Sequence, residues 1–575
     1  MRQKNKQAKR TGVKTKLEKA GLAKADISIG ELRKALKLGH RYAEEENWEK
    51  ALPPLLVAWE AMPDDVALLT LIAQGLSRLG VREHALAVLE RALAVSEPSE
   101  DILTIMVNLS LEMEMYEVAV KVGQQLIAMN PSLPNAYVNL AVGYTGLGKF
   151  DESIDMLQQV LPLFPEYSDL WNVLATQVRE RDGVEASSVF FEEALRLNPT
   201  DLKVISNYAI SFVQSGDFKR ALELNLRAVE LNPDIPEPHI GAGQLLFLEG
   251  QMAEGWKHYQ YRLNTRRKQN QTQIYTHGIE AWQGQSLEGK TLFICAEQGI
   301  GDEVMFGNYL PFLYERAEKL IIGCEHRLVS LYKRRFPNAI IDFYMDEFNQ
   351  GYRYRYFPNV QNRINTGELA VDYAIPLADA LSYEWTKPDA IKPHVDGFLK
   401  PCPEKQAEYK ERLTALGPKP KIGLAWRSGV VAQQRNYLYS PIENFGPLMG
   451  LADKVDFVNL QYGDVTEELA KFERLYGAKV YNFDEVNLKT DIEANVAIAS
   501  TLDLVVSCCS APGMFALSSG CPTILTSSHR PWWCFGHDKK VPFAKDAEYT
   551  VSEGQVDWHD IMQRVTERVS ERLCL

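Results

Sequence analysis

The stretch Asn130–Pro165, NPSLPNAYVNLAVGYTGLGKFDESIDMLQQVLPLFP, decides the first half of the chain. It opens on Asn-Pro and closes on Phe-Pro, its apolar residues recur at helical spacing, and it breaks midway at TGLGKFDES. The same punctuation returns elsewhere. NP, FP, NP and NP end at Pro131, Pro165, Pro199 and Pro233, a period of 34 residues, and Pro63 and Pro98 extend the series backwards with one-residue slips. Turns containing Gly fall midway again, at QSGDFKRAL and LEGQMAEGW. Ala141, Ala175, Ala209 and Ala221 fall where two helices must approach closely. Proline closes each second helix, where its missing N–H costs least.

A helix–turn–helix repeat of this length is the tetratricopeptide (TPR) signature. About six repeats are expected from Leu32 to Leu263, within a solenoid placed at 31–265. Such arrays form a groove suited to a peptide or protein. Tyr137, Asn139, Trp171, Asn172 and Asn207 lie on first helices, which line that groove. The aromatic residues read as packing between repeats, so Asn139, Asn172 and Asn207 are the groove candidates. The alternative is an array that only dimerises the chain or props up its second half.

With 46% hydrophobic and 24% charged residues, 575 residues read as several soluble globular domains. A net charge of -13 argues against a nucleic-acid-binding body. Residues 1–30 are the basic exception and read as a disordered, solubilising tail rather than a nucleic-acid or membrane binder. No apolar run has the length of a membrane span, and a cytoplasmic location is expected. The eight cysteines show no C-x-x-C pair and no zinc-type spacing, so buried free thiols are expected and no metal.

After a polar linker at 266–290 the period changes. Short apolar runs alternate with helices, which implies parallel sheets. Two Rossmann-like lobes are expected, at 291–400 and 421–575, joined by a linker at 401–420. The fold class is therefore α+α/β, an all-α TPR solenoid followed by two Rossmann-like lobes. Ligands of open parallel sheets bind beyond the carboxyl ends of the strands, so the residues that follow the strands carry the interest. After TLFICAE come Gln298, Gly299, Ile300, Gly301 and Asp302, a tight loop that lacks the third glycine of a dinucleotide fingerprint. Asp302 reads equally as a helix N-cap or as a general base. After IGLAW come Arg427, Ser428 and Gly429, with Arg435, Asn436 and Tyr437 behind them, a set suited to a diphosphate. The alternative for Arg427 is a structural pair with a carboxylate. Gln461 and Tyr462 follow DFVNL and offer an amide and a ring to a nucleobase. Ser507, Cys508, Cys509 and Ser510 end the strand DLVVSC, where the next helix presents N–H groups to an anion.

Read in order, W-x-G-x-x-L-x-G-K-T-L from Trp282, AEQGIGDEVMF with YLPFL, IGLAWRSG, VNLQYGD with EEL, and LDLVVS with G-x-P resemble the TPR-linked bacterial glycosyltransferases of GT-B fold. The match runs from Trp282 to Trp558. The catalytic half is similar to heptosyltransferases of family 9, the layout resembles O-GlcNAc transferase, and WRSG with VNLQYGD is most similar to the TPR transferases associated with flagellin. The resemblance implies that Asp302 is the base or acceptor-positioning residue. It also places Arg427, Ser428 and Gly429 in the donor loop, Gln461 at a donor strand end and Asp491 at an acidic donor position. It implies transfer from a nucleotide-sugar substrate without cofactor or metal, with inversion. Cys509 and Met514 depart from the pattern, standing where such enzymes carry an aspartate and a histidine.

The expected function is a protein glycosyltransferase whose TPRs recruit the acceptor, flagellin being the first candidate. The alternatives are a TPR scaffold with an inactive GT-B half and a heptosyltransferase-like enzyme acting on a glycolipid. A thiol redox protein built on Cys508 and Cys509 ranks last, because adjacent cysteines close a strained ring and no cation stands beside them.

Overall fold

A computed structural model describes residues 27–267, 272–349, 352–394, 396–429, 438–552, 554 and 556–575. The first 26 residues of the basic tail fall outside that set. Helix formation begins within the tail's assigned bounds. Ser28 caps α1 (Ile29–Glu44) through a reciprocal box in which Glu31 N–H donates to Ser28 Oγ and Ser28 N–H to the Glu31 carboxylate.

Among the described residues the helical half consists of seven pairs, where about six repeats are expected. α1 pairs with α2 (Trp48–Ala61), α3 (Val66–Arg78) with α4 (Arg82–Val95), and α5 (Glu100–Glu112) with α6 (Tyr116–Met129). α7 (Pro134–Gly146) pairs with α8 (Phe150–Val160), and α9 (Ser168–Asp182) with α10 (Val184–Leu197). α11 (Leu202–Ser215), α12 (Phe218–Leu231), α13 (Pro236–Leu248) and α14 (Met252–Tyr259) complete the array. The turn inside each pair needs one residue of positive φ. Gly80, Gly148, Gly183, Gly216 and Gly250 supply it in five pairs, and Glu46 and Glu114 do so in the other two. A side chain is strained in that region, which is why glycine recurs there.

The chain forms two compact units, one ending at Ser211 and the other spanning Phe212–Leu575. The boundary falls inside α11, so α12, α13 and α14 belong to the same unit as the α/β half. Within it, Trp256 is buried and its indole N–H donates to the Trp385 carbonyl at 2.8 Å. Phe247 packs edge-on against Phe535, and Tyr259 and Phe306 close around Trp532.

The first α/β sheet has the order β4-β3-β2-β7: β2 (Thr291–Cys295), β3 (Lys319–Cys324), β4 (Ile340–Phe343) and β7 (Tyr373–Pro376), all parallel. The second has six parallel strands in the order β10-β9-β8-β11-β12-β13. These are β8 (Lys421–Ala425), β9 (Asp456–Asn459), β10 (Val480–Tyr481), β11 (Leu504–Cys508), β12 (Thr523–Ser527) and β13 (Ala547–Val551). β2, β8 and β11 are apolar runs buried on both faces, as parallel strands covered by helices must be.

Three details differ from the expectation. The run AIIDFYM divides at Tyr344 into β4 and β5 (Met345–Asn349). The 266–290 segment is no free connector, since β1 (Gln273–Tyr275) pairs in parallel with β6 (Tyr352–Tyr356) and Trp282 is buried. A three-residue strand in a polar context leaves no periodicity to detect. The 401–420 segment carries the helix Pro403–Thr414, whose Tyr409 and Leu413 enter the core of the second sheet with Val458 and Ala497. No helix among the described residues is long and apolar enough to cross a membrane.

Candidate functional site

In each sheet the strand order reverses at one place, where ligands of open α/β sheets bind. In the first sheet it lies between β2 and β7, where the loop carrying Gln298, Gly299 and Asp302 leaves β2. In the second it lies between β8 and β11, where Trp426–Gly429 and Cys509–Ser510 emerge. The topology therefore brings together the loops singled out from sequence. A Cβ built on Gly301 would stand 3.6 Å from Ala511, so the helices Ile300–Gly307 and Ala511–Ser518 meet at their N-terminal turns.

Asp302 is exposed and is not the N-cap. Gly299 holds that position, and Asp302 sits in the first turn with its carboxylate folded back to 3.3 Å from where a Gly299 Cβ would be. Beneath the loop lies a buried charge network. Arg262, 2% exposed at its side chain, donates to Glu297 at 2.8 and 3.3 Å and to the Asp379 carboxylate. Burial opposes the Arg262 charge, but the two carboxylates outweigh it and hold its pKa well above the ordinary value. The Ala378 N–H donates to Glu297 at 2.8 Å, and Arg355 donates to the Glu297 carbonyl at 2.6 Å. Glu303 is buried beside this network and accepts from the Glu325 N–H at 3.1 Å. Burial pushes its carboxyl up to about 8. Sequence reasoning passed over Arg262, Glu297, Glu303 and Asp379. Glu297 and Asp379 follow strands β2 and β7, a signal the strand-end rule offered.

The second lobe's candidates are engaged internally. Arg427 forms a two-pronged pair with Glu468 at 2.6 and 2.7 Å and donates to the Asp464 carbonyl at 3.1 Å. Its fork is not open to a diphosphate, and the structural alternative describes it. Gln461 is buried rather than facing a nucleobase. Its Oε1 accepts from the N–H groups of Trp426 and Arg427, both at 3.0 Å, and so fastens the exit of β8. The Tyr462 hydroxyl accepts from Gly429 N–H at 2.8 Å, and a Gly429 Cβ would meet the Tyr462 ring at 2.3 Å, so a larger residue there would have to displace that ring. Ser428 is half-buried at the same turn. Asp491 caps the helix Ile492–Ala499 and pairs with Lys405 at 2.6 Å, a structural role rather than a ligand contact. Arg435 and Tyr437 lie outside the described residues.

Ser507 is buried and donates to the Cys508 carbonyl at 2.8 Å, and Ser510 precedes the helix Ala511–Ser518 as its N-cap. Burial pushes the Cys508 thiol up to about 12, and burial followed by the neighbouring Cys508 raises Cys509. Both shifts disfavour the thiolate that redox chemistry needs. Met514 is buried in the core.

A cleft of about 520 Å³ opens beyond β9 and β10, lined by Gln461, Tyr462, Asn459, Asn482 and Lys489. Tyr462 is thus shared between the switch-point loop and this cleft, whose Asn482–Lys489 wall went unread in the sequence.

On the helical array, Asn139 donates to Asn108 at 2.9 Å and Asn207 to Asn172 at 3.1 Å. Asn172 is buried. Asn139 and Asn207 lie two periods apart, whereas Asn172 falls one residue short of that register, and the offset turns it inward. Asn139 and Asn207 are half-buried, Asn108 is exposed, and Tyr137 and Trp171 bond the carbonyls of Pro131 and Pro165.

The described architecture is that of a TPR protein with an α/β second half. The chain is 30% identical over 508 residues to Protein FlbA of Caulobacter vibrioides (strain ATCC 19089 / CIP 103742 / CB 15), covering 85% of this chain and 84% of that protein, and it belongs to that family. No family model matches. Among solved structures, TTC0263, a thermophilic TPR protein in Thermus thermophilus, is 20% identical with a TM-score of 0.30, over 32% of this chain and 100% of that one. MamA 41-end from Desulfovibrio magneticus RS-1 is 20% identical with a TM-score of 0.29, over 31% of this chain and 99% of that one.

Proposed function

We propose that this chain is a GT-B glycosyltransferase that moves a sugar from a nucleotide-sugar to a protein acceptor recruited by its TPRs, flagellin being the acceptor to test first. The observation that carries the reading is the meeting of two switch-point loops, one presenting the exposed Asp302 carboxylate and the other the N-terminal turn of Ala511–Ser518. In this reading Asp302 takes the proton of an acceptor hydroxyl, whose oxygen attacks the sugar's anomeric carbon. The bond from that carbon to the departing phosphate oxygen breaks, and backbone N–H groups at the helix start receive the leaving charge. Arg427 supports the loop instead of clamping phosphate.

The test compares flagellin mass in the host, in a deletion strain, and in the deletion strain carrying Asp302→Asn. Loss of the added mass in the last two supports the proposal, and an unchanged mass in both overturns the flagellin version.

A second reading, a binding scaffold with an inactive α/β half, is favoured by one observation. Arg427 and Gln461 are engaged by the protein itself, while Cys509 and Met514 replace polar family residues. Thermal shift across nucleotide-sugars separates the two. A ligand at a hundredfold excess over its Kd stabilises by about 2.7 kcal/mol, and the scaffold reading expects no shift from any of them.

A further inference from the structure

β5 is the outer strand of a small sheet ordered β1-β6-β5. Met345, Asp346, Glu347 and Phe348 are all exposed, Met345 by 46% and Phe348 by 60%. Half of an edge strand's backbone N–H and C=O groups face away from its neighbour and accept a further strand. The antiparallel register sets Met345 opposite Tyr356, Glu347 opposite Tyr354 and Asn349 opposite Tyr352. One face therefore carries three tyrosines, Met345 and Glu347. Among the described residues none of those tyrosines stacks on another ring or is hydrogen-bonded through its hydroxyl. The other face is anchored. Arg355 is buried, holds Asp346 at 2.8 and 3.0 Å, and reaches the Glu297 carbonyl beneath the Gln298–Asp302 loop. The free edge thus stands on a rigid base.

A second copy of the chain fits this edge poorly. Antiparallel self-pairing centred on Glu347 sets two glutamates opposite each other, and centring between Asp346 and Glu347 again sets acid against acid. Like charges directly opposite destabilise a strand pair. Asp346 is neutralised by Arg355, whereas Glu347 has no ion-pair partner among the described residues. The edge is complementary to a strand that carries a cation.

We propose that β5 is a docking edge for an extended segment of another polypeptide, with a lysine or arginine opposite Glu347 and an apolar side chain two residues away, over Met345. Main-chain hydrogen bonds hold the segment, and the alternate side chains select it. None of the residues assigned to the TPR groove or to sugar transfer belongs to this strand, and no nucleotide-sugar enters its test.

The probe is the fluorescein-labelled peptide Ser-Val-Thr-Lys-Thr-Val-Ser, titrated with the full chain and read by anisotropy. Saturable binding is expected, weaker by about fivefold when the peptide's lysine is replaced by glutamate. The Glu347→Lys chain, altered at one exposed side chain, should reverse that preference. Absence of saturable binding, equal binding of the two peptides, or an unchanged preference in Glu347→Lys overturns the proposal. Sedimentation that shows a dimer dissolved by Phe348→Lys also overturns it, in favour of a second copy.

Discussion

The two α/β lobes use the same device, a loop leaving a parallel strand at a switch point, and support it in opposite ways. Under the first loop the supporting charges are buried: Arg262 holds both Glu297 and Asp379 below it, and Asp302 is exposed. In the second lobe the support comes from the loop's own residues. Arg427, Gln461 and Tyr462 hold its turn, so a ligand there meets mainly backbone and the rim of the neighbouring cleft. A loop braced from below can spare its side chains for chemistry. One braced by its own side chains cannot.

The largest effect should come from Asp302→Asn. If the first loop carries the chemistry, single-turnover transfer falls by about 10²–10⁴-fold, the usual contribution of a positioned base, while the denaturation midpoint stays within error. Undiminished transfer would remove Asp302 from the mechanism and equalise the two lobes.

Next comes one substitution made in both lobes. Arg262→Met leaves Glu297 and Asp379 buried without their cation, which costs about 3–5 kcal/mol. Arg427→Met breaks a pair whose side chains are 24% and 23% exposed, where screening limits the loss to about 1 kcal/mol or less. Urea denaturation of both variants measures the contrast, and equal losses would break it.

Gln461→Leu probes the second lobe's own bracing. It strands the N–H groups of Trp426 and Arg427 at the end of β8, at about 1–3 kcal/mol for each group left unpaired. A denaturation midpoint unchanged from wild type would mean that water replaces the amide and that the turn needs no brace.

The helical array was legible because every repeat repeats its own local rules, and an Asn-Pro or a turn glycine is visible without knowing its partner. Strands β2, β8, β9, β11 and β12 were legible for a related reason, since burial on both faces leaves a continuous apolar run. Pairings across distance were not legible. Arg427 meets Glu468 and Arg262 meets Asp379 only through folding, and no spacing distinguishes a ligand-facing arginine from a paired one. Asp302 was assigned to a cap or a base, and the helix start moved by three residues to Gly299 resolved the first option against it. β1 and β5 were missed because one is short within a polar segment and the other is exposed on its outer edge, so neither carries a buried-strand pattern.

The buried brace of the first lobe also has a pH signature. Glu303 has a folded-state pKa raised from 4.5 to about 8, so between those values the folded chain binds a proton that the unfolded chain releases. Its stabilising contribution is complete below about 4.5 and is lost as pH rises through about 8. Glu303→Gln keeps an acceptor for the Glu325 N–H and cannot ionise. The variant should therefore match the wild type at acidic pH and become progressively the more stable of the two from about pH 4.5, the gap being complete by about pH 8, a divergence that thermal melts across the range will read. In the second lobe Glu468, the carboxylate that holds Arg427, is partly exposed, and Glu468→Gln should change stability by only about 1 kcal/mol or less. Its value as a test lies elsewhere. It frees the Arg427 fork, so a diphosphate-linked sugar that binds the second lobe should bind this variant more tightly than wild type in calorimetry. Equal affinity would mean that no phosphate approaches Arg427 at all, and that the second lobe's turn is scaffold from end to end.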